Sequence, residues 1–285
     1  MKHAGKILRE AMAGGTVMCP GAWNGLIAKT IAKTGFKACY VSGGATSNAA
    51  GHPDVGLITM KEMCRTIHEV VSASGLPVIA DADTGFGDND SVARTIAEYD
   101  RNGAAGMHIE DQEFPKRCGH LDGKTLVPQS EMVQKVSIAS QNRLGDDFIL
   151  IARTDAFGVD GMDAAIERGC AYREAGADMI FPEGLQSEEA FETFAKGCDG
   201  LLLANMTEFG KTPHITTQQF EALGYNLVIF PVTMQRVAMG AITICLSELL
   251  KTGTAEGFES QMQSREELYD LLDYVPSEPW RFHNT

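Results

Sequence analysis

The sequence predicts an α/β protein, a closed (β/α)8 barrel of the TIM type, and three observations support this fold class. Eight short apolar runs recur from end to end of the 285 residues. Each run leads into a polar or glycine-rich loop, and a longer helical pattern follows the loop. Continuous apolar strands that alternate with helices are typical of a parallel sheet covered on both faces, and eight such units favour a closed barrel. An open, doubly wound sheet is the alternative.

The apolar runs are the predicted strands, and the patterns between them are the predicted helices. The helix expected at Asp88–Gly103 begins with acidic residues, which suit the helix dipole, and ends at a glycine, which suits a C-terminal cap. Lys61–Gly75 and Asp160–Gly176 follow the same pattern, and residues 1–15 predict an amphipathic helix. The strands are expected at Thr16–Cys19, Lys37–Ser42, Pro77–Asp83, Ala104–Glu110, Phe148–Asp155, Ala177–Glu183, Gly200–Thr207 and Asn226–Pro231.

We expect one barrel domain over residues 1–285. Thr254–Tyr274 contains two helical patterns beyond those that eight units require, so residues 254–285 are interpreted as a C-terminal helical extension. Surplus helices commonly pack against a partner subunit, which favours an oligomer. No linker, low-complexity segment or short repeat divides the chain.

The composition excludes several classes of protein. With 24 Lys and Arg against 38 Asp and Glu, the net charge is −14, and no basic patch is present that would bind nucleic acid or an anionic membrane surface. No apolar stretch approaches the roughly 18 residues of a membrane span. The seven cysteines are scattered without a CxxC pair, so neither a disulfide framework nor a zinc knuckle is indicated. A cytoplasmic location is expected.

Acidic residues accumulate where the predicted strands end. Asp81 and Asp83 end the third strand, His108 and Glu110 end the fourth, and Glu183 ends the sixth. Strand side chains alternate between faces, so Asp81 and Asp83 are expected to point the same way, as are His108 and Glu110. Working groups of parallel barrels lie at this end of the strands. Carboxylates that converge there repel one another unless a cation lies among them.

Mg2+ fits this oxygen-rich set, because it takes one or two carboxylates directly and keeps its waters; Mn2+ could substitute for it. Asp83 is the predicted direct ligand, with Asp81, Glu110 and Glu183 holding the waters. Zn2+ suits the set less, since His108 is the one imidazole at a strand end. The alternative for each acid taken alone is a helix cap or an ion pair.

A basic loop with the run Lys116-Arg117-Cys118-Gly119-His120 follows the fourth strand. Because neighbouring cations favour thiolate over thiol, they are predicted to lower the pKa of Cys118 and to make it a competent proton donor or acceptor. Glycines at positions 119 and 123 would let the loop close over a substrate. The alternative is a cysteine that is incidental to the loop.

Two further groups suit an anionic substrate. Ser42-Gly43-Gly44 offers a hydroxyl and successive backbone N–H groups after the second strand, although a plain turn is the alternative. Arg153 ends the fifth strand, where a guanidinium suits bidentate binding of a carboxylate. The sequence lacks the GxxxxGK[ST] and GxGxxG motifs, so nucleotide cofactors are not indicated.

Several motifs together resemble the isocitrate lyase and phosphoenolpyruvate mutase superfamily. The run at residues 116–120 is similar to the signature of its carbon–carbon lyases, and DADTGFG at Asp81–Gly87 favours the same branch. The likeness spans nearly the whole chain. Further similar stretches are Ser42–Gly44, Pro53–Thr59, His108–Gln112, Ala152–Ala156, Phe181–Gly184, Ala204–Pro213 and Met262–Tyr274.

The resemblance implies a Mg2+-dependent retro-aldol cleavage of 2-methylisocitrate to pyruvate and succinate, in the methylcitrate route of propionate catabolism. It places Asp83 at the metal that chelates the α-keto acid half, with Asp81, Asp54, Glu110 and His108 around it. It also implies that neighbouring subunits exchange their last helix and form a homotetramer.

The resemblance assigns roles to the remaining candidates as well. Cys118 corresponds to the group that protonates the succinate carbanion, and Lys116 is also expected to be a catalytic residue. Tyr40 corresponds to a tyrosine near the reacting hydroxyl. The implied substrate-binding residues are Ser42, Gly43, Gly44 and Arg153 for the α-keto acid half, and Glu183, Asn205 and Thr207 for the succinate half.

Departures from the family pattern leave the substrate open. Asn24 stands where relatives often have aspartate, His52 where an apolar residue is more usual, and Leu121-Asp122-Gly123-Lys124 also occurs in relatives that act on smaller dicarboxylates. Cleavage of 2,3-dimethylmalate or hydrolysis of oxaloacetate are therefore alternatives. A phosphonate mutase fits less well, since phosphoryl transfer needs no acid at Cys118. A binding barrel that has lost catalysis would predict damage to the acids or to the cysteine loop, and neither is damaged.

Overall fold

A computed structural model describes residues 2–280, and within them the chain forms a (β/α)8 barrel. The strands are β1 (Val17–Pro20), β2 (Cys39–Val41), β3 (Val78–Asp81), β4 (Gly106–Glu110), β5 (Ile149–Thr154), β6 (Met179–Pro182), β7 (Leu201–Asn205) and β8 (Leu227–Phe230). They are parallel and lie in the order β1-β8-β7-β6-β5-β4-β3-β2. A parallel bridge between Gly21 and Tyr40 joins the two ends of this order. The predicted barrel is therefore confirmed against the open sheet, and each expected apolar run overlaps one strand.

The helices are α1 (Ala4–Ala13), α2 (Gly25–Thr34), α3 (Gly43–Ala49), α4 (Met60–Ser74), α5 (Asn89–Arg101), α6 (Gln129–Gln141), α7 (Met162–Glu174), α8 (Glu188–Gly197), α9 (Thr217–Ala222), α10 (Thr233–Thr252) and α11 (Arg265–Leu271). Local side chains fix several boundaries. Thr59 and Glu62 form a capping box at the start of α4, and Asp88 caps α5 by accepting from an otherwise unpaired backbone N–H. Gly75 ends α4 in the left-handed conformation, which favours glycine.

Two apolar layers hold the barrel together. One lies between the strands and the outer helices and includes Met107 and Leu150. The other fills the interior, with side chains such as Ile79 and Ile151. Burying these layers is the main source of stability for such a fold.

Helix α1 closes the N-terminal end of the barrel. Its residues Leu8 and Met12 belong to the interior layer. Gly5 lets the helix approach the strand ends, because a Cβ at that position would lie 2.0 Å from the carbonyl oxygen of Asp147. The opposite end of the barrel, at the carboxyl ends of the strands, remains the mouth where the candidate residues lie.

The C-terminal region departs from the repeating pattern. Gln235 alone is buried among the residues of α10, and Val237, Ile244 and Leu250 are exposed. Of the two helical patterns expected after α10, Glu256–Gln261 forms a 3-10 helix and α11 an α-helix. Among the described helices, none has the length and apolar character needed to cross a lipid bilayer.

Candidate active site

Four carboxyl groups, those of Asp54, Asp81, Asp83 and Glu110, form what we call the acid cluster at the barrel mouth. Asp81, Asp83 and Glu110 are buried, whereas Asp54 comes from the loop between α3 and α4. Asp83 lies beyond the end of β3 with φ 45°, so the strand alternation expected to aim it does not extend that far. Backbone bonds hold it instead: its N–H donates to Asp81 Oδ1 at 3.0 Å, and its carbonyl accepts from the Glu110 N–H at 2.9 Å.

The buried ammonium group of Lys116 lies among these acids. Its Nζ is 2.5 Å from Asp54 Oδ1 and 2.9 Å from Asp83 Oδ1. Burial alone would lower the pKa of Lys116, but the carboxylates, Glu110 foremost, raise it well above its ordinary value. Lys116 therefore stays charged, and its ammonium offsets part of the negative charge of the acid cluster.

The donors of the acid cluster fit a divalent cation. Asp83 Oδ1 and both carboxyl oxygens of Glu110 are buried without a hydrogen-bond partner of good geometry. Burial and the adjacent Asp81 together raise the pKa of Asp83 to about 6, because two charges crowd one site. Across residues 2–280, no three His, Cys, Asp or Glu side chains are arranged to hold an ion by themselves. Mg2+ needs only one or two protein carboxylates beside its waters.

Tyr40 and His108 form a buried pair next to the acid cluster. The Tyr40 hydroxyl lies 2.6 Å from His108 Nε2, and His108 Nδ1 is 3.7 Å from Asp81 Oδ1. Burial lowers the pKa of His108 to about 4 and raises that of Tyr40 well above 10.0. Both side chains are therefore neutral at physiological pH, and a proton can pass between them.

Arg153 links the acid cluster to the rest of the mouth. Its Nε is 2.9 Å from Asp155 Oδ2 and 3.3 Å from Glu110 Oε2, and its Nη1 is 3.3 Å from Glu183 Oε2. Its guanidinium also lies over the ring of Phe181, 5.3 Å from the centroid. The position of Arg153 is thus set from several sides before any ligand binds.

Cys118 lies in the loop of residues 113–127, which we call the cysteine loop. The loop leaves β4 and returns through an antiparallel bridge between Gln112 and Leu126. Burial raises the pKa of Cys118 above its ordinary 9.0, and this effect is larger than that of a backbone hydrogen bond at His120, which lowers the pKa. The thiol is therefore protonated at neutral pH.

The prediction that basic neighbours lower the pKa of Cys118 is wrong, because none of them directs its charge at the thiol. Lys116 faces the acid cluster, and Arg117 is exposed. Burial lowers the pKa of His120, whose Nδ1 accepts a hydrogen bond from the Lys211 backbone N–H. The sequence order places these cations beside Cys118, but the loop turns their side chains elsewhere.

Ser42, Gly43 and Gly44 form the start of α3 rather than a plain turn. The Ser42 hydroxyl caps the helix, and the Gly43 N–H donates to Asp81 Oδ2 at 3.0 Å. A Cβ on Gly43 would lie 2.9 Å from Asp81 Oδ2, so glycine permits this close approach. These residues therefore lie beside the acid cluster.

Glu183, Asn205 and Thr207 lie on the opposite side of the mouth. Asn205 Nδ2 donates to Glu183 Oε2 at 3.1 Å, while Asn205 Oδ1 is buried without a partner. His120 Nε2 is 3.3 Å from Glu183 Oε1. Glu183 therefore makes its contacts with these groups and with Arg153.

Arg236 is a site residue that the sequence reasoning missed. It lies on the first turn of α10, where its Nη1 is 3.3 Å from Thr207 Oγ1 and 3.1 Å from Glu208 Oε2. Its side chain is 41% exposed, so it lies at the rim. One feature of the sequence could have indicated Arg236. It is a single cation shortly after the last predicted strand, in a helical pattern that is otherwise typical of a core helix.

A cavity of about 140 Å3 connects these groups; its lining includes Tyr40, Cys118, Arg153, Glu183, Asn205 and Arg236. A larger cavity of about 880 Å3 lies on the other side of the cysteine loop, bounded by α4, α5 and α6. The larger cavity touches Asp83 but neither Cys118 nor Arg153. Because the polar groups converge on the smaller cavity, we take that cavity as the candidate active site.

The chain is similar to several known proteins. A family model described as phosphoenolpyruvate phosphomutase matches residues 8–250. A probable 2-methylisocitrate lyase of Corynebacterium glutamicum is 49% identical, over 90% of this chain and 84% of its own. The 2,3-dimethylmalate lyase of Eubacterium barkeri is 42% identical, over 95% of this chain and 94% of its own.

Solved structures show the same similarity. The crystal structure of a 2,3-dimethylmalate lyase superimposes with a TM-score of 0.89 at 36% identity, covering 95% of this chain and 92% of its own. A phosphonopyruvate hydrolase in complex with oxalate and Mg2+ superimposes with a TM-score of 0.85 at 28% identity, covering 95% of both chains.

Proposed function

The chain belongs to the phosphoenolpyruvate phosphomutase family, and from this premise we propose that it is a Mg2+-dependent lyase that cleaves 2-methylisocitrate to pyruvate and succinate. The observation that carries the proposal is the cavity between the acid cluster and Cys118. Its lining brings Asp54 of the acid cluster together with Arg153 and with the Cys118 thiol, which burial keeps protonated. A retro-aldol cleavage needs a stabilised keto product and a proton for the carbanion.

The two halves of the substrate would occupy opposite sides of the mouth. Arg153 and the backbone at Ser42–Gly44 would bind the part that becomes pyruvate, next to the acid cluster. Glu183, Asn205 and Thr207 would orient the part that becomes succinate. Asn205 Oδ1 and Nδ2 offer both an acceptor and a donor there, which suits hydrogen bonds to a carboxyl group and to bound water.

The proton transfers follow from the neutral Tyr40–His108 pair and from Cys118. Tyr40 would accept the proton of the substrate hydroxyl while its own proton passes to His108 Nε2, 2.6 Å away. The electrons of the O–H bond form the carbonyl of pyruvate as the carbon–carbon bond breaks. The Cys118 thiol then gives its proton to the carbanion of succinate and becomes a thiolate. The proton on His108 would pass back through Tyr40 to this thiolate, since Tyr40 and Cys118 line the same cavity, and all three groups would regain their starting protonation states. Asp81, 3.7 Å from His108 Nδ1, would stabilise the transient imidazolium.

Asp83, with Asp81 and Asp54 around it, would hold Mg2+, which when bound would polarise the oxygens of the α-keto acid half. Both carboxyl oxygens of Glu110 are buried without a hydrogen-bond partner, which supports this assignment. Mn2+ would serve as a substitute.

The number of cations at the site favours a tricarboxylate over 2,3-dimethylmalate or oxaloacetate. Arg153 lies deep in the cavity, and Arg236 adds a second guanidinium at its rim. With a dicarboxylate, Arg236 would keep Glu208 as its carboxylate partner, whereas the third carboxylate of 2-methylisocitrate would give it a partner on the substrate.

A substrate panel tests the proposed function. Purified enzyme with Mg2+ is assayed for kcat/KM on 2-methylisocitrate, isocitrate, 2,3-dimethylmalate and oxaloacetate, with a chelated sample as control. We expect 2-methylisocitrate to be preferred by at least tenfold, the discrimination that one charged contact supplies. A preference for 2,3-dimethylmalate would contradict the substrate but keep the reaction class.

We further propose that the chain acts as a cytoplasmic homotetramer in which α10 packs on neighbouring subunits. The apolar side chains of Val237, Ile244 and Leu250 on α10 are exposed in the single chain, and an apolar surface of this kind is typical of a subunit contact. Light scattering after size-exclusion chromatography would give four times the 30.7 kDa chain mass. Elution as a monomer would contradict the proposal.

A further inference from the structure

The cysteine loop contains a buried cation that none of the roles above uses. Lys124 is 8% exposed, and its Nζ donates to the carbonyl oxygen of Gly119 at 2.5 Å and to Asp155 Oδ1 at 2.7 Å. One contact is within the loop, next to Cys118, and the other is on the barrel, just after β5. Lys124 is therefore a bridge between the loop and the barrel.

The barrel end of this bridge is rigid. The Asp155 backbone N–H donates to Asp111 Oδ1 at 2.9 Å. Asp111 is itself buried and accepts hydrogen bonds from Thr154 and Tyr172. Burial alone would raise the pKa of Asp155, but Arg153 and Lys124 lower it to about 2, so its carboxylate is ionised at neutral pH. The ammonium of Lys124 thus has a fixed, ionised partner.

The loop end of the bridge lies against the reacting groups. A Cβ on Gly119 would lie 2.4 Å from Arg153 Nη2 and 2.5 Å from Glu183 Cγ, so the backbone at position 119 touches both sides of the cavity. Asp155 Oδ1 also accepts from Arg153 Nη2 at 3.1 Å. One carboxylate oxygen therefore joins the cation that holds the loop and the cation that holds the substrate.

We propose that Lys124 is a positioning residue: by bridging the Gly119 carbonyl and Asp155, it fixes the backbone beside Cys118 against Arg153, so that the thiol reaches the carbanion. This inference rests on the proposed function for its kinetic consequence, but not for its structural one. A second ion pair on the same loop, Lys211 Nζ to Asp122 Oδ1 at 2.5 Å, is exposed at Asp122 (side chain 91% exposed). An exposed pair contributes little, so Lys211 provides a matched control.

The test compares Lys124→Met with Lys211→Met and with the conservative Lys124→Arg, in two assays. The first follows tryptic cleavage after Arg117 by mass spectrometry and needs no substrate. We expect cleavage to be at least fivefold faster in Lys124→Met, with Lys211→Met within twofold of the wild type. The second measures kcat and KM, and we expect Lys124→Met to lower kcat roughly 100-fold, the scale of a misplaced catalytic group, with KM within about threefold. Lys124→Arg should recover at least a tenth of the wild-type kcat.

The proposal would be overturned if Lys124→Met kept both the cleavage rate and kcat within twofold of the wild type. It would also be overturned if Lys211→Met changed both quantities as much as Lys124→Met does. If Lys124→Met does not fold, Lys124→Gln replaces it, with the same outcomes deciding. If the wild type cleaves no 2-methylisocitrate, the proposed function fails, while the proteolysis assay still decides whether Lys124 holds the loop.

Discussion

The two sides of the barrel mouth have opposite electrostatic designs. On the side of β3 and β4, four carboxyl groups surround a single ammonium, and the oxygens of Glu110 lack hydrogen-bond partners. On the side of β5 to β8, the cations Arg153 and Arg236 each have a carboxylate within 3.3 Å. The first side is short of positive charge, and the second is already balanced.

This difference teaches which side tolerates change. Three of the four acids in the cluster are buried and like charges there repel one another, so the loss of one carboxylate is expected to alter both the bound cation and Lys116. The cation side is partly open at Arg236, and a ligand there exchanges one anionic partner for another. We therefore expect substitutions in the acid cluster to abolish the reaction and substitutions at the rim to change which substrate is used.

The largest effect is expected for Asp83→Ala. Loss of the carboxylate removes the proposed metal ligand and leaves Lys116 with one ion-pair partner fewer, so kcat/KM should fall by about 10⁴-fold. Steady-state assays across a Mg2+ titration would measure it. Asp90→Asn, an exposed acid nearby in sequence, is the control. More than a tenth of wild-type activity in Asp83→Ala would remove the acid cluster from the mechanism.

Cys118→Ser comes next. The serine hydroxyl is a far weaker acid than the thiol, so kcat should fall about 10² to 10³-fold, within the usual range for general acid catalysis, while KM changes little. Pyruvate release is the measurement, and Cys170→Ser, a substitution outside the cavity lining, is the control. Near-normal turnover would be incompatible with Cys118 as the proton donor.

Arg236→Met should change the preference between substrates, as expected for a substitution at the rim. Removing the rim guanidinium should lower kcat/KM for 2-methylisocitrate about tenfold and leave the value for 2,3-dimethylmalate within threefold. Arg94→Met, at the border of the 880 Å3 cavity, is the control. If Arg94→Met caused the larger loss instead, the substrate would have to bind in the larger cavity.

Much of this arrangement could be predicted from the sequence, and the failures have physical reasons. Apolar runs between helical patterns determine the barrel, and the family resemblance, now confirmed, follows from motifs at strand ends. In an irregular loop, the direction of a side chain does not follow a regular repeat along the sequence. The position of Lys116 next to Cys118 therefore could not show that its ammonium group faces the acid cluster. Arg236 and Lys124 were missed because their partners, Glu208 and Asp155, become neighbours only when the chain folds.

The smallest effect concerns the thiol itself, and it tests whether the basic residues of the cysteine loop act on Cys118 or on the acids. Burial raises the pKa of Cys118 above 9.0, so at pH 8 less of it is thiolate than in an unhindered thiol. Alkylation by iodoacetamide proceeds through the thiolate. The rate at Cys118, followed by peptide mass spectrometry from pH 6 to 10, should therefore be several-fold lower than that of N-acetylcysteine at pH 8 and rise steeply only above pH 9. A rate that already levels off below pH 8 would mean that Lys116 and its neighbours stabilise the thiolate after all. The cations of the cysteine loop would then act on Cys118 as well as on the acid cluster.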